Sequence, residues 1–219
     1  RKGKQVEVTI SGNQTFTIDY GFCMFDNGSI APADDVIVMP TGFGSGWGGT
    51  AMLGCNLAIK GRQVLMVSLP GCGNSSDPSP SYYKTEGFNL EAEVLARFIE
   101  KVLPGKKAHL VGHSMAADIV TEVAYAYPHL VASLTLLCPA GFEKRGPWEL
   151  FAKFILNGML HGIEFRGDPV WKKLCEFLPK ERSTLALSRW PQRISEWQRL
   201  CCGSDLTLIL DRVSETIPT

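Results

Sequence analysis

The stretch "HLVGHSMAAD", residues 109–118, decides how the rest of the chain is read. It opens as a strand of the buried type. "AHLVG" (108–112) is short and apolar, and Pro104-Gly105 comes before it. It continues as a helix from Met115 to Tyr127, with Ile119, Val120, Val123 and Tyr127 on one side and Pro128 after the end. Ser114 stands at the junction. A serine hydroxyl is a weak nucleophile at neutral pH, so it needs a base in reach and donors for a developing oxyanion. A sharp strand-to-helix turn lifts the hydroxyl above the sheet and sets the next N–H at a helix start, where the dipole favours negative charge. Small residues two before and two after the serine, here Gly112 and Ala116, relieve crowding in such a turn. A bare Gly-x-Ser-x-small match also describes a serine that only caps a helix, so the surroundings must separate the two.

On the N-terminal side, "DVIVMP" (35–40) is a continuous apolar run followed by the Gly-rich "TGFGSGWGG", and "QVLMVSLPG" (63–71) repeats strand and Gly/Pro loop. Residues 89–102 read as a helix, with Asn89 as its cap, Glu91 and Glu93 in its first turn, and Leu90, Val94, Leu95, Phe98, Ile99 and Val102 on one face. "LVASLTLLCPAG" (130–141) contains the strand after the Ser114 helix. Continuous apolar strands alternating with helices predict a mostly parallel sheet covered on both faces, an α/β fold. "QVEVTI" (5–10) and "TFTIDYGF" (15–22), separated by Ser-Gly-Asn, predict an antiparallel hairpin at one edge. Residues 143–204 are helical in pattern and rich in Trp, Phe and Leu, and "DLTLIL" (205–210) reads as the strand that resumes the alternation. The predicted organisation is a core over 1–142, a helical insertion over 143–204 and a return to the core over 205–219.

The bulk composition excludes several classes. Apolar residues make up 45% and charged residues 20% of the 219-residue chain, as in an ordinary globule. Lys+Arg and Asp+Glu balance at 22 each, which suggests no nucleic-acid or acidic-membrane partner. The apolar runs fall short of the roughly 20 residues that span a bilayer, and the basic opening "RKGKQVEVTISGNQ" lacks the apolar core of a signal peptide. Seven cysteines, an odd count with no Cys-x-x-Cys pair, predict reduced thiols and a cytoplasmic setting rather than a disulfide framework or a zinc site.

With these residues assembled, the sequence resembles the α/β-hydrolase fold superfamily, in the cap-bearing branch of esterases, lipases and carbon–carbon bond hydrolases. "VGHSMAA" is similar to that branch's V-G-H-S-M-G-G, "VMPTGFGSGW" lies where it has a His-Gly oxyanion loop, and "SLPGCGNSS" is similar to its D-x-P-G-x-G-x-S loop. "CPAG" stands where the strand after the nucleophile ends, and 143–204 resembles the cap. The resemblance covers nearly the whole chain. It implies Ser114 as nucleophile, the N–H groups of Phe43 and Met115 as oxyanion hole, and Gly42, Trp47 and His113 beside the substrate. Plain loop packing is the alternative role for Phe43 and Trp47. His113 is read as structural rather than as the base, because its side chain should point away from Ser114. No metal or organic cofactor is implied.

The sequence also departs from the family. Thr41 replaces the oxyanion-loop His, Ser68 the Asp of the second loop, Cys72 a frequent His or Arg, and Ala116-Ala117 two glycines. The acid is expected after "LTLIL": aligned from that strand it is Glu215, aligned back from Pro218 it is Ser214, Asp211 sits closer to the strand end, and Glu143 is a fallback. Glu215 is the preferred acid, since Glu can replace Asp in this role. The His should follow the acid, yet the histidines are His109, His113, His129 and His161, none of them after it. With no initial Met and a last strand and helix unaccounted for, the chain is expected to be a piece of a longer protein, inactive by itself.

The function expected is hydrolysis of an ester or similar acyl bond through an acyl-serine, on a small, largely apolar substrate. The insertion's aromatics Trp148, Phe151, Phe154, Trp171, Phe177 and Trp190 suggest that polarity, though such residues more often pack a cap onto a core. A carbon–carbon bond hydrolase on the same scaffold stays open, as do a hydroxynitrile lyase and a cofactor-free peroxidase; Ser at 114 disfavours an Asp-nucleophile dehalogenase. From a different class come a non-catalytic receptor for a small apolar ligand and a protein-interaction role for the inserted helices.

Overall fold

A computed structural model describes residues 3–24, 36–79, 82, 88–140, 146, 152, 206–214 and 217. Six strands form one sheet among them: β1 (Lys4–Thr9), β2 (Thr15–Cys23), β3 (Val36–Pro40), β4 (Gln63–Val67), β5 (Ala108–His113) and β6 (Val131–Leu137), in the order β1-β2-β4-β3-β5-β6. β4, β3, β5 and β6 run parallel, and β1 and β2 are added antiparallel at the β4 side. This is the mostly parallel α/β fold that the alternation predicts. The hairpin turns through Ser11–Asn13, where Gly12 and Asn13 take positive φ of 75° and 59°, as Gly and Asn do most readily. The Glu93 carboxylate accepts from the Ser11 N–H and Oγ, each at 2.8 Å, and so fastens the turn to a helix.

The helices are α1 (Ala51–Ile59), α2 (Asn89–Val102), α3 (Met115–Ala126) and α4 (Leu206–Ser214). Alternation along the strands sends side chains to two cores. Val36, Val38, Leu65, Val67 and Leu110 pack with Val94, Leu95, Phe98 and Ile99 of α2 and Ile119, Val120 and Val123 of α3. Met39, Val64 and Met66 face the other way, where Ala58 of α1 and Trp47 cover them. α2 begins at Asn89 itself, after Phe88 at the cap position, and no side chain caps it, so Asn89 is not the cap expected.

Two elements differ from the sequence reading. α1 was not foreseen, because its apolar residues form no stripe: Met52, Leu53 and Ile59 are exposed while Gly54 and Ala58 face the sheet. "DLTLIL" was expected to be a strand, and Leu206–Ser214 is instead a helix packed on α3. Six apolar-rich residues are ambiguous between strand and helix. The longer run decides it, since Leu206, Val213 and Ile217 recur at helical spacing and are buried, while Asp211, Arg212 and Ser214 are exposed.

Candidate active site

β5 delivers the chain to Ser114 at the top of the sheet, and α3 leaves immediately after it. Ser114 takes φ 57° and ψ −124°, a strained conformation for a residue with a side chain. Its neighbours hold it there. The Ser114 N–H donates to the Leu137 carbonyl at 3.1 Å, and its own carbonyl accepts from the Ala117 N–H at 3.0 Å. The turn is tight enough to exclude a side chain at Gly112, where a Cβ would lie 2.5 Å from Val120 Cγ2 and 2.6 Å from the Ala116 carbonyl. Ala116 and Ala117, in place of the family's glycines, are fully buried. The Ser114 side chain makes no capping bond to α3, so the helix-cap reading of this serine does not hold. Met115 opens α3, and its N–H belongs to the first turn, which lacks carbonyl partners within the helix.

The loop after β3 meets this turn. A Cβ on Gly42 would stand 3.2 Å from the His113 carbonyl and 3.7 Å from Ser114 Cβ, so the Gly42–Phe43 segment lies directly against the elbow. The Thr41 N–H donates to the Val67 carbonyl at 3.0 Å, and the Phe43 ring packs partly against the larger core. Trp47, one of the residues expected beside substrate, is used within the fold. It is buried, its Nε1–H donates to Asp19 Oδ2 at 3.0 Å and its backbone N–H to Ser68 Oγ at 2.9 Å. The Ser68 N–H donates to the Asp19 carbonyl, the Asp19 N–H to Ser75 Oγ, and Ser75 Oγ to the Ser68 carbonyl. Asp19 on β2 thereby ties together the loops that follow β3 and β4. Burial raises its pKa, against the lowering effect of the Trp47 N–H. No local pattern marks this network, because its members come from three separate segments.

The expected acid and base are not brought to Ser114 by the described residues. Glu215, Glu143 and His161 lie outside them, as do all six aromatics named for the insertion. Asp211 and Ser214 sit on the exposed side of α4, where Ser214 Oγ donates to the Asp211 carbonyl at 2.7 Å. They therefore do not occupy the loop after a strand that the acid alignment presumed. His113 is exposed at the end of β5. His109 contacts Ser133 Oγ at 2.7 Å, five positions before Ser114 and so about 16 Å along the strand. His129 lies beside Glu100 on the surface. Among the described residues no group of three or more His, Cys, Asp or Glu is placed to hold a metal ion, and no helix is long and apolar enough to cross a membrane.

One acidic residue escaped the sequence reading. Asp118, one helical turn past Ser114, is 2% exposed and its Oδ1 has no hydrogen-bond partner. Burial first, and then the nearby Glu122 carboxylate, push its pKa up to about 7. Burial raises Glu122 as well. The available signal was a charged residue four positions after Ser114, set between the apolar Ala116-Ala117 and Ile119-Val120.

Comparison with known proteins agrees with this geometry. The chain is 31% identical over 110 residues to monoacylglycerol lipase abhd6-B of Xenopus laevis, covering 50% of this chain and 30% of that protein. It is 30% identical over 123 residues to abhydrolase domain-containing protein abhd-5.2 of Caenorhabditis elegans, covering 54% and 26%. The matched stretch thus spans under a third of either relative. Among solved structures, E-2-(acetamidomethylene)succinate hydrolase superposes with a TM-score of 0.65 at 18% identity, over 97% of this chain and 78% of that one. A hydrolase from Pseudomonas aeruginosa gives 0.64 at 14%, over 93% and 75%. At those identities the structures speak for the fold alone. Residues 35–166 match the family described as alpha/beta hydrolase fold, a span that holds the Gly42 loop, the Ser114 elbow and the parallel strands β3, β4, β5 and β6, and the chain belongs to that family.

Proposed function

We propose that this chain carries the nucleophile and oxyanion loop of a serine hydrolase, which cleaves an ester or similar acyl bond of a small, largely apolar substrate. The observation that carries the reading is the conformation of Ser114: a strained serine between strand and helix, making no cap, with Gly42 of the preceding loop against it. Ser114 Oγ attacks the acyl carbon, the N–H groups of Met115 and Phe43 receive the oxyanion, and the alcohol leaves to give an acyl-serine that water hydrolyses. The base and acid come from outside the described residues; Glu215 stays a candidate acid, but the strand from which its position was counted is the helix α4. The lipase name of the Xenopus relative supports an ester substrate.

The test uses the product of the complete gene with an alkyl fluorophosphonate probe and a short-chain ester. Ser114→Ala should abolish labelling and lower kcat/KM by at least about 10³-fold. Unchanged labelling in Ser114→Ala would overturn the assignment, and ligand binding without turnover in both proteins would favour the receptor reading.

A further inference from the structure

Away from Ser114, the second core holds two thiols whose positions no sequence pattern links. Cys23 is the last residue of β2, and Cys55 is in the middle of α1. Their sulfurs are 3.2 Å apart, with both cysteines reduced. The proximity has a structural cause. A Cβ on Gly54 would stand 2.5 Å from Met66 Sδ, so glycine there lets α1 lie this close to the sheet without displacing the Met66 side chain. That approach carries Cys55 onto the end of β2. Cys23 is 5% exposed, whereas Cys55 is partly open to solvent.

We propose that Cys23 and Cys55 form an oxidation site: a dithiol that a hydroperoxide converts into an intramolecular disulfide clamping α1 to β2. The reaction balances in two steps. The Cys55 thiolate attacks the terminal peroxide oxygen; an S–O bond forms, the O–O bond breaks and the alkoxide leaves as an alcohol, giving a sulfenic acid. The Cys23 sulfur then attacks the Cys55 sulfur; the S–S bond forms, and hydroxide leaves and takes up the Cys23 proton as water. Two thiols are oxidised by two electrons and one peroxide is reduced. The partly open Cys55 is the one an oxidant can reach, and the buried Cys23 is already in place to resolve it. Closing the pair requires the sulfurs to approach by about 1.2 Å, to the roughly 2.05 Å of a disulfide. The bond would close a loop between positions 32 apart that includes β3 and the Gly42 loop. Since α1 follows directly from the turn Trp47–Thr50, the clamp anchors the far end of the loop that faces Ser114.

The experiment treats the folded protein with a stoichiometric amount of tert-butyl hydroperoxide, unfolds it in acid, alkylates it and maps its peptides under non-reducing conditions. A peptide linking Cys23 to Cys55 should dominate, with two fewer alkylated thiols and a Tm higher by roughly 5–10 °C, both reversed by dithiothreitol. Cys23→Ser should give no link and leave Cys55 as a sulfenic acid trapped by dimedone. Should the wild-type map show both cysteines alkylated while other thiols are oxidised, or Cys55 linked elsewhere, the proposal fails. The wild-type map decides even where a variant does not fold.

Discussion

Ser114 sits at φ 57°, a conformation that costs a side-chain-bearing residue of order 1–3 kcal/mol and survives only where its surroundings impose it. Gly112 is the principal enforcer, since any Cβ there enters Val120 and the first turn of α3. Gly112→Ala should therefore destabilise the fold by about 1–3 kcal/mol in urea unfolding. No loss would mean that the turn can open. Asp118 makes a second prediction at this scale. Its carboxyl titrates at about 7 when folded, against an ordinary value of 3.8. The folded state thus holds more protons between those values, and stability falls as pH rises through about 7. The loss is on the order of 4 kcal/mol. Glu122, raised by burial as well, adds to the same slope. Unfolding measured at pH 5 and pH 8 should show a gap between the two that shrinks in Asp118→Asn; an equal gap in both proteins would refute the burial argument.

At the scale of elements, the loops after β3 and β4 are fastened to each other and to β2 through Trp47, Ser68, Ser75 and Asp19. Removing the carboxylate in Asp19→Ala leaves the buried Trp47 N–H unpaired, a cost of about 1–3 kcal/mol. Chemical denaturation should register that loss, and a change below about 0.5 kcal/mol would show the network to be incidental. Much of the element plan was legible. α2, α3 and the parallel strands follow from apolar periodicity, which is set locally by which side chains face a core. α1 was not legible, because it lies on the sheet through Gly54 and Ala58 and leaves larger apolar groups exposed. α4 was misread because its apolar run is short, and only docking on α3 selects the helical phase.

For the molecule as a whole, α4 packs on α3, with Val213 and Ile217 joining the larger core. Val213→Asp would place an unpaired carboxylate in that contact and should cost more than about 2 kcal/mol. An unchanged unfolding midpoint would show that α4 does not contribute to the core.

By itself the sequence determined the α/β class, the hairpin edge and the serine between strand and helix. All three rest on side-chain periodicity and turn chemistry, which act over a few residues. Tertiary structure alone decided that Gly42 rests against Ser114, that Trp47 serves a buried network, that Asp118 is stripped of solvent and that Cys23 meets Cys55. Each of these joins segments far apart in the chain. Their proximity depends on how closely helices and loops settle on the sheet, a distance set by packing and not written in any local pattern.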